Sequence, residues 1–125
     1  MEQNLIYKEE AFSIIGKCME VHRLLGHGFL EVVYKDALEY EFQCAGIPYS
    51  REARFDILYK VKVLPHHYFA DFTTFDKIIL EVKSMDGLHD DLLSRTLNYL
   101  KVSGYRLGLL VNFGKKTLEY KRVIL

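Results

Sequence analysis

The chain reads as an α/β domain in which a central β-sheet lies between helices. Three observations point there. Two helical hydrophobic patterns open the chain, strand-like alternation begins after Pro48, and one late run, Leu107 to Phe113, is almost wholly apolar. A wholly apolar strand is buried on both faces, which requires helices on each side of the sheet. With 125 residues, half of them hydrophobic, the chain has the size of a single domain over residues 1–125. It can close a core without disulfides or a structural metal.

From Glu9 to Leu25, Phe12, Ile15, Met19 and Leu25 recur at helical spacing, joined by Ile14, Cys18 and Val21. Gly26-His27-Gly28 breaks this amphipathic helix. A second helix runs from about Phe29 to Ala45, with Val33, Ala37, Leu38 and Phe42 inward, Gly46 at its C′ position and Pro48 beyond. Ala53 to Tyr59 alternates as a strand, and Val61 to Leu64 resembles a turn into the next one. Tyr68 to Phe75 and Ile78 to Ser84 are two further strands, joined around Asp76-Lys77. Leu88 to Ser103 is helical and ends at Gly104, and strands Leu107 to Phe113 and Leu118 to Ile124 close the chain. The order is α-α-β-β-β-α-β-β.

Composition narrows the function. Seventeen basic and seventeen acidic side chains cancel, so any polyanion site must be a local patch. Cys18 and Cys44 lack C-x-x-C spacing and sit in apolar helical patterns, as buried free thiols of a reduced compartment do. The segment MEQNLIYKEE lacks the basic start and apolar core of a signal peptide. No apolar run approaches the ~18 residues of a membrane span. A cytoplasmic location and no membrane partner are therefore expected. The five histidines make no zinc spacing; His66 and His67, being adjacent, would point apart on a strand. Lys115 and Lys116, with Lys121 and Arg122, form a small basic patch that suits either a solvated hairpin tip or a nucleic-acid backbone.

Chemistry concentrates on Asp71 in YFADFTTF and on Glu81 with Lys83 in IILEVKS. Ile79, Glu81 and Lys83 share one strand face, and Phe69, Asp71, Thr73 and Phe75 share another. A two-residue turn at Asp76-Lys77 sets Asp71 opposite Val82, on the wrong face. A three-residue turn, Phe75 to Lys77, sets it opposite Glu81, with Cβ atoms roughly 5 Å apart. Two such carboxylates suit Mg²⁺ or Mn²⁺, with Lys83 offsetting charge on a phosphate or positioning a water. Acid-x-lysine alone is uninformative, since Glu119-Tyr120-Lys121 repeats it without an acid in the strand before. Without metal, the clustered carboxylates should repel one another, so that Asp71→Asn raises the melting temperature.

A second segment, Gly28 through Glu31 to Tyr34, has G-x-x-E-x-x-Y form. With Gly28 as N-cap, Glu31 is the third helical residue, the place of a capping-box glutamate. The stretch EVHRLLGHGFLEVVYKDAL closely resembles the signature of the GxxExxY proteins. ADFTT, ILEVKS, LNYLK and LGLLVNFG extend the resemblance over about residues 10 to 125. That family is placed in the PD-(D/E)xK nuclease superfamily, whose core is restriction-endonuclease-like. The resemblance implies a central mixed sheet flanked by helices and a metal site of Asp71 and Glu81 with Lys83, joined by Glu31 from the preceding helix. It also implies a glutamine on the following helix where this chain has Arg95; that arginine could meet a phosphate or mark altered activity.

The expected activity is metal-dependent hydrolysis of nucleic-acid phosphodiesters. Glu31, Asp71, Glu81 and Lys83 would be catalytic, Asp71, Glu81 and Glu31 would hold Mg²⁺ or Mn²⁺, and Arg95, Lys115 and Lys116 would touch nucleic acid. The alternative is a non-catalytic module of the same fold that binds nucleic acid or a protein partner. A homo-oligomer formed through Tyr105 or Tyr120 is a third reading.

Overall fold

The computed structural model describes residues 5–125. Helices α1 (Lys8–Leu25) and α2 (Glu31–Ala45) precede strands β1 (Tyr49–Tyr59), β2 (Lys62–Thr74) and β3 (Ile78–Lys83). Helix α3 (Asp90–Ser103) and strands β4 (Leu107–Asn112) and β5 (Glu119–Ile124) complete the order. The strands form one sheet in sequence order. Neighbours are antiparallel except β3 and β4, which run parallel and need the α3 crossover. The sheet is therefore mixed.

Each face carries its own core. Ile14, Ile15 and Cys18 of α1 and Tyr34, Leu38 and Phe42 of α2 pack on Phe72, Ile78, Leu80, Val82, Leu109 and Val111. On the other face Leu100 of α3 packs with Tyr68, Ala70 and Ile79. Strand β4 is buried along its whole length, as its apolar sequence requires. Among the described residues no helix is long and apolar enough to cross a membrane.

Several local expectations change. The inward stripe of α1 is Ala11, Ile14, Ile15, Cys18 and Val21, and these five fill the space over the sheet. Phe12 and Met19 lie on a second stripe that points away; Phe12 is 80% exposed. Helix α2 begins at Glu31, with Leu30 rather than Gly28 as its N-cap. Glu31 is thus the first helical residue, and no capping box forms. Cys18 is buried as expected, but Cys44 is exposed, because it falls outside the Tyr34–Leu38–Phe42 stripe. Tyr105 is half-buried, with its ring edge-on to Phe55 at 5.6 Å, whereas Tyr120 is exposed.

The β2–β3 turn settles the register. Phe75 (φ 53°) and Asp76 (φ 57°) both adopt left-handed backbone, and Lys77 N–H donates to Thr74 C=O at 3.1 Å. Three residues make this turn, and Thr74, Thr73 and Phe72 pair with Ile78, Ile79 and Leu80. Beyond β3, the chain is locked to β4 by Asn112. Its Oδ1 accepts from Met85 N–H and Gly114 N–H, and its Nδ2 donates to Met85 C=O and Glu119.

Candidate active site

The β2–β3 ladder ends at Phe72–Leu80, one step before Asp71 would face Glu81. There the carboxylates take over from the backbone. Val82 N–H donates to Asp71 Oδ2 at 2.8 Å, and Asp71 N–H donates to Glu81 Oε2 at 3.1 Å. Each acid thus anchors on the other strand, so neither is a loose surface side chain. Tyr68 Oη also donates to Glu81 Oε2, at 2.8 Å, and its ring stacks on Tyr99 of α3 with centroids 3.8 Å apart. Among the described residues, none forms a hydrogen bond to Glu81 Oε1.

The two acids differ in surroundings. Glu81 is 5% exposed. Burial first, and the Asp71 charge second, push its carboxyl up to about 7, against the hydrogen bonds from Asp71 N–H and Tyr68 and the charge of Lys83. Asp71 is neutralised by Lys35 of α2, whose Nζ donates to Asp71 Oδ1 at 3.0 Å and also to Glu52. Burial pulls the Lys35 ammonium down, but its bonds to Glu52 and Asp71 outweigh that and hold its pKa above the ordinary lysine range.

Glu52 occupies an unusual place. The β1–β2 register is unchanged across it, with Arg51 opposite Phe72 and Ala53 opposite Ala70. Glu52 therefore lies across from Asp71. Its φ is +56°, a left-handed backbone that costs an L residue about 1–3 kcal/mol. The sheet changes layers here. Arg51 bonds Asp36 and Glu39 of α2, whereas Phe55 stacks on Tyr68 above α3. Likewise Phe72 packs on Phe42 of α2, while Tyr68 packs on Tyr99 of α3. Glu52 and Asp71 sit at this crossover.

None of the remaining expected residues forms a hydrogen bond or ion pair with these two acids. Lys83 follows Glu81 on the same strand face, and its charge acts on Glu81, but it forms no hydrogen bond or ion pair with either acid. Glu31 is exposed and lines an open cavity of about 570 Å³ with Phe29, Ser84, Met85 and Gly114. It sits one helical turn before Lys35, on the same helix face. Arg95 is exposed on α3, one turn before Tyr99, and its charge acts on that tyrosine. Lys115 and Lys116 are exposed in the β4–β5 turn, beside the cavity wall at Gly114. Lys35, Glu52 and Tyr68 are the site residues that the sequence pattern does not single out.

The tyrosine of the G-x-x-E-x-x-Y segment is an anchor. Tyr34 is fully buried and stacks on Phe113 at 4.6 Å. Its hydroxyl donates to Gly26 C=O at 2.6 Å and accepts from Phe29 N–H at 3.2 Å. Ser84 Oγ donates to Phe29 C=O at 2.7 Å, tying the same loop to the end of β3. These bonds fix where α2 starts and hence where Glu31 stands. Tyr34→Phe should lower stability by about 1–3 kcal/mol, read by urea unfolding, since it strands both loop groups.

A divalent ion can be weighed against this donor set. Among the described residues no group of three or more His, Cys, Asp or Glu side chains is close enough to hold a metal. Two carboxylates are nonetheless enough for Mg²⁺, which keeps several waters and takes oxygen ligands. Glu81 Oε1 is open, and Asp71 Oδ1 is open whenever Lys35 withdraws. The pair fits a hard cation on that condition.

The mixed five-stranded sheet with helices on both faces defines a restriction-endonuclease-like α/β core. The chain belongs to the PD-(D/E)XK nuclease superfamily, whose family model matches residues 8–123; the GxxExxY resemblance falls within it. The solved structure titled "Crystal structure of SSO0001" is similar in fold, with a TM-score of 0.61 at 20% identity. That match covers 94% of this chain and 57% of the other. Among curated proteins none is significantly similar to the chain.

Proposed function

We propose that the protein is a metal-dependent nuclease that hydrolyses phosphodiester bonds of nucleic acid. The observation that carries this reading is the interlocked Asp71–Glu81 pair, built where the β2–β3 ladder opens. Superfamily membership supports the same chemistry. Asp71 and Glu81 would hold Mg²⁺ or Mn²⁺, which when bound polarises a phosphodiester and acidifies a water. Tyr68 and Asp71 N–H keep Glu81 Oε2 occupied, so Oε1 would be the ligand atom. Lys83, on the same face, would offset charge that develops on the phosphate. Glu31, at the start of α2, would accept the proton of a water or orient it. Arg95, Lys115 and Lys116 are exposed and would contact the nucleic-acid backbone.

The test is cleavage of single- and double-stranded DNA and RNA with Mg²⁺ or Mn²⁺. Wild type should cut, and Glu81→Ala and Lys83→Ala should not; cleavage that survives both changes would assign the activity elsewhere. A second reading is a non-catalytic module that binds nucleic acid or a protein partner. It draws support from the two-carboxylate donor set and from Arg95. Metal-independent nucleic-acid binding with no cleavage of any substrate form would favour it.

A further inference from the structure

We infer that Lys35 is the resident cation of the carboxylate site and that a divalent ion binds there only by displacing it. The inference rests on the metal reading above and adds a residue that sets metal affinity. Lys35 Nζ is held by Asp71 and Glu52 at once, and its side chain is only 13% exposed. It is a half-buried ammonium between two carboxylates, where charge pairing is stronger than at a fully exposed site. The other Asp71 oxygen already accepts from Val82 N–H at 2.8 Å, so Lys35 sits on the oxygen that the backbone leaves free.

Three features show that the contact is built and not incidental. The lysine of the acid-x-lysine pair, Lys83, contacts neither carboxylate by hydrogen bond, so among the described residues Lys35 supplies the direct countercharge. Glu52 reaches Lys35 from a strained left-handed backbone in mid-strand, and such strain persists where surrounding structure enforces it. Lys35 also stands one turn beyond Glu31 on α2, on the same helix face. A divalent ion between Asp71 and Glu81 would face an ammonium 3.0 Å from its ligand oxygen. Repulsion makes the two cations exclusive. The displaced ammonium remains tethered beside Glu31, where an anionic phosphate could take it up.

The experiment is Mn²⁺ binding by calorimetry and by metal-dependent melting shift at pH 7.5, for wild type, Lys35→Gln, Lys35→Met and Lys35→Arg. Lys35→Gln and Lys35→Met should bind Mn²⁺ at least about tenfold more tightly than wild type, because the competing charge is gone. Lys35→Arg, which keeps the charge, should bind no more tightly than wild type. A lysine with only a structural role would weaken or leave unchanged the metal affinity when removed. If wild type binds Mn²⁺ and the neutral variants bind equally or more weakly, the displacement inference falls while the metal site stands. If neither wild type nor the neutral variants bind Mn²⁺ at millimolar levels, both fall. A variant that is marginal without metal is read from its melting shift with Mn²⁺, since ligand binding stabilises the folded form.

Discussion

Glu81→Gln should make the metal-free protein more stable above neutral pH while it abolishes cleavage. The buried carboxyl has its pKa raised to about 7 from an ordinary 4.5, so the folded chain holds this proton more tightly than the unfolded chain does. The stability tied to that proton is fully present below about pH 4.5 and is lost as pH rises through about 7. At 1.36 kcal/mol per unit, the loss amounts to about 3 kcal/mol at pH 8. Glutamine keeps an acceptor for Tyr68 and Asp71 N–H but carries no charge. In chelator, the variant should match wild type near pH 4.5 and melt about 10 °C higher at pH 8. Cleavage should fall by more than about 100-fold, the cost of losing only an outer-shell partner of a metal ligand. A melting difference that stays flat from pH 4.5 to 8 would show that Glu81 is not held in a charge-hostile site.

The same comparison relocates a strain that the sequence placed on Asp71. Two facing carboxylates do repel, but Lys35 neutralises Asp71 and Val82 N–H bonds it. Asp71→Asn would therefore lose an ion pair as well as a repulsion. Relief from removing a charge belongs to Glu81, which has a tyrosine, a backbone amide and no direct cation.

That relocation marks where sequence reasoning reaches its limit. Asp71 and Glu81 were legible because each interrupts a strongly apolar strand, and the three-residue turn follows from asking the two acids to meet. No Gly or Asn-Gly pair marks that turn; Phe75 and Asp76 take left-handed backbone instead. Lys35 falls inside the second helical pattern and carries no motif of its own. Its partners come from β1 and β2, and nothing local to α2 announces them. Glu52 lies just before the alternating run Ala53 to Tyr59, and nothing in the sequence hints at its φ. Glu31 was open to two explanations, and the two-residue difference in where α2 begins removes the capping-box one. The overall layering survived these errors because it rests on long apolar periodicities, whereas the site rests on single contacts between distant segments.

The strap that follows Lys83 should carry the largest stability effect. Gly114→Ala should cost about 3 kcal/mol or more. A Cβ at Gly114 would lie 2.2 Å from Met85 O and 2.3 Å from Met85 N. Those are backbone atoms, so relief requires a peptide to move and not merely a side chain to rotate. Asn112 grips that same peptide, accepting from Met85 N–H at 3.0 Å and donating to Met85 C=O at 3.1 Å. Movement large enough to admit a methyl group breaks both bonds. Asn112→Ala should in turn cost about 3–5 kcal/mol, since Asn112 is fully buried and its loss strands three backbone groups, at about 1–3 kcal/mol each. Because the two residues act on one peptide, the double variant should lose less than the sum of the single losses. Gly87→Ala, where a Cβ meets nothing within 4 Å, is the control and should stay within about 0.5 kcal/mol of wild type. Urea unfolding reads all four proteins; additive costs, or a Gly114→Ala loss no larger than that of Gly87→Ala, would break the coupling. Cleavage by both strap variants should also fall at temperatures well below their melting points. Met85 lies two residues past Lys83, and Phe113 N–H holds Lys83 C=O at 2.8 Å, so a shifted strap moves the lysine that the proposed chemistry needs.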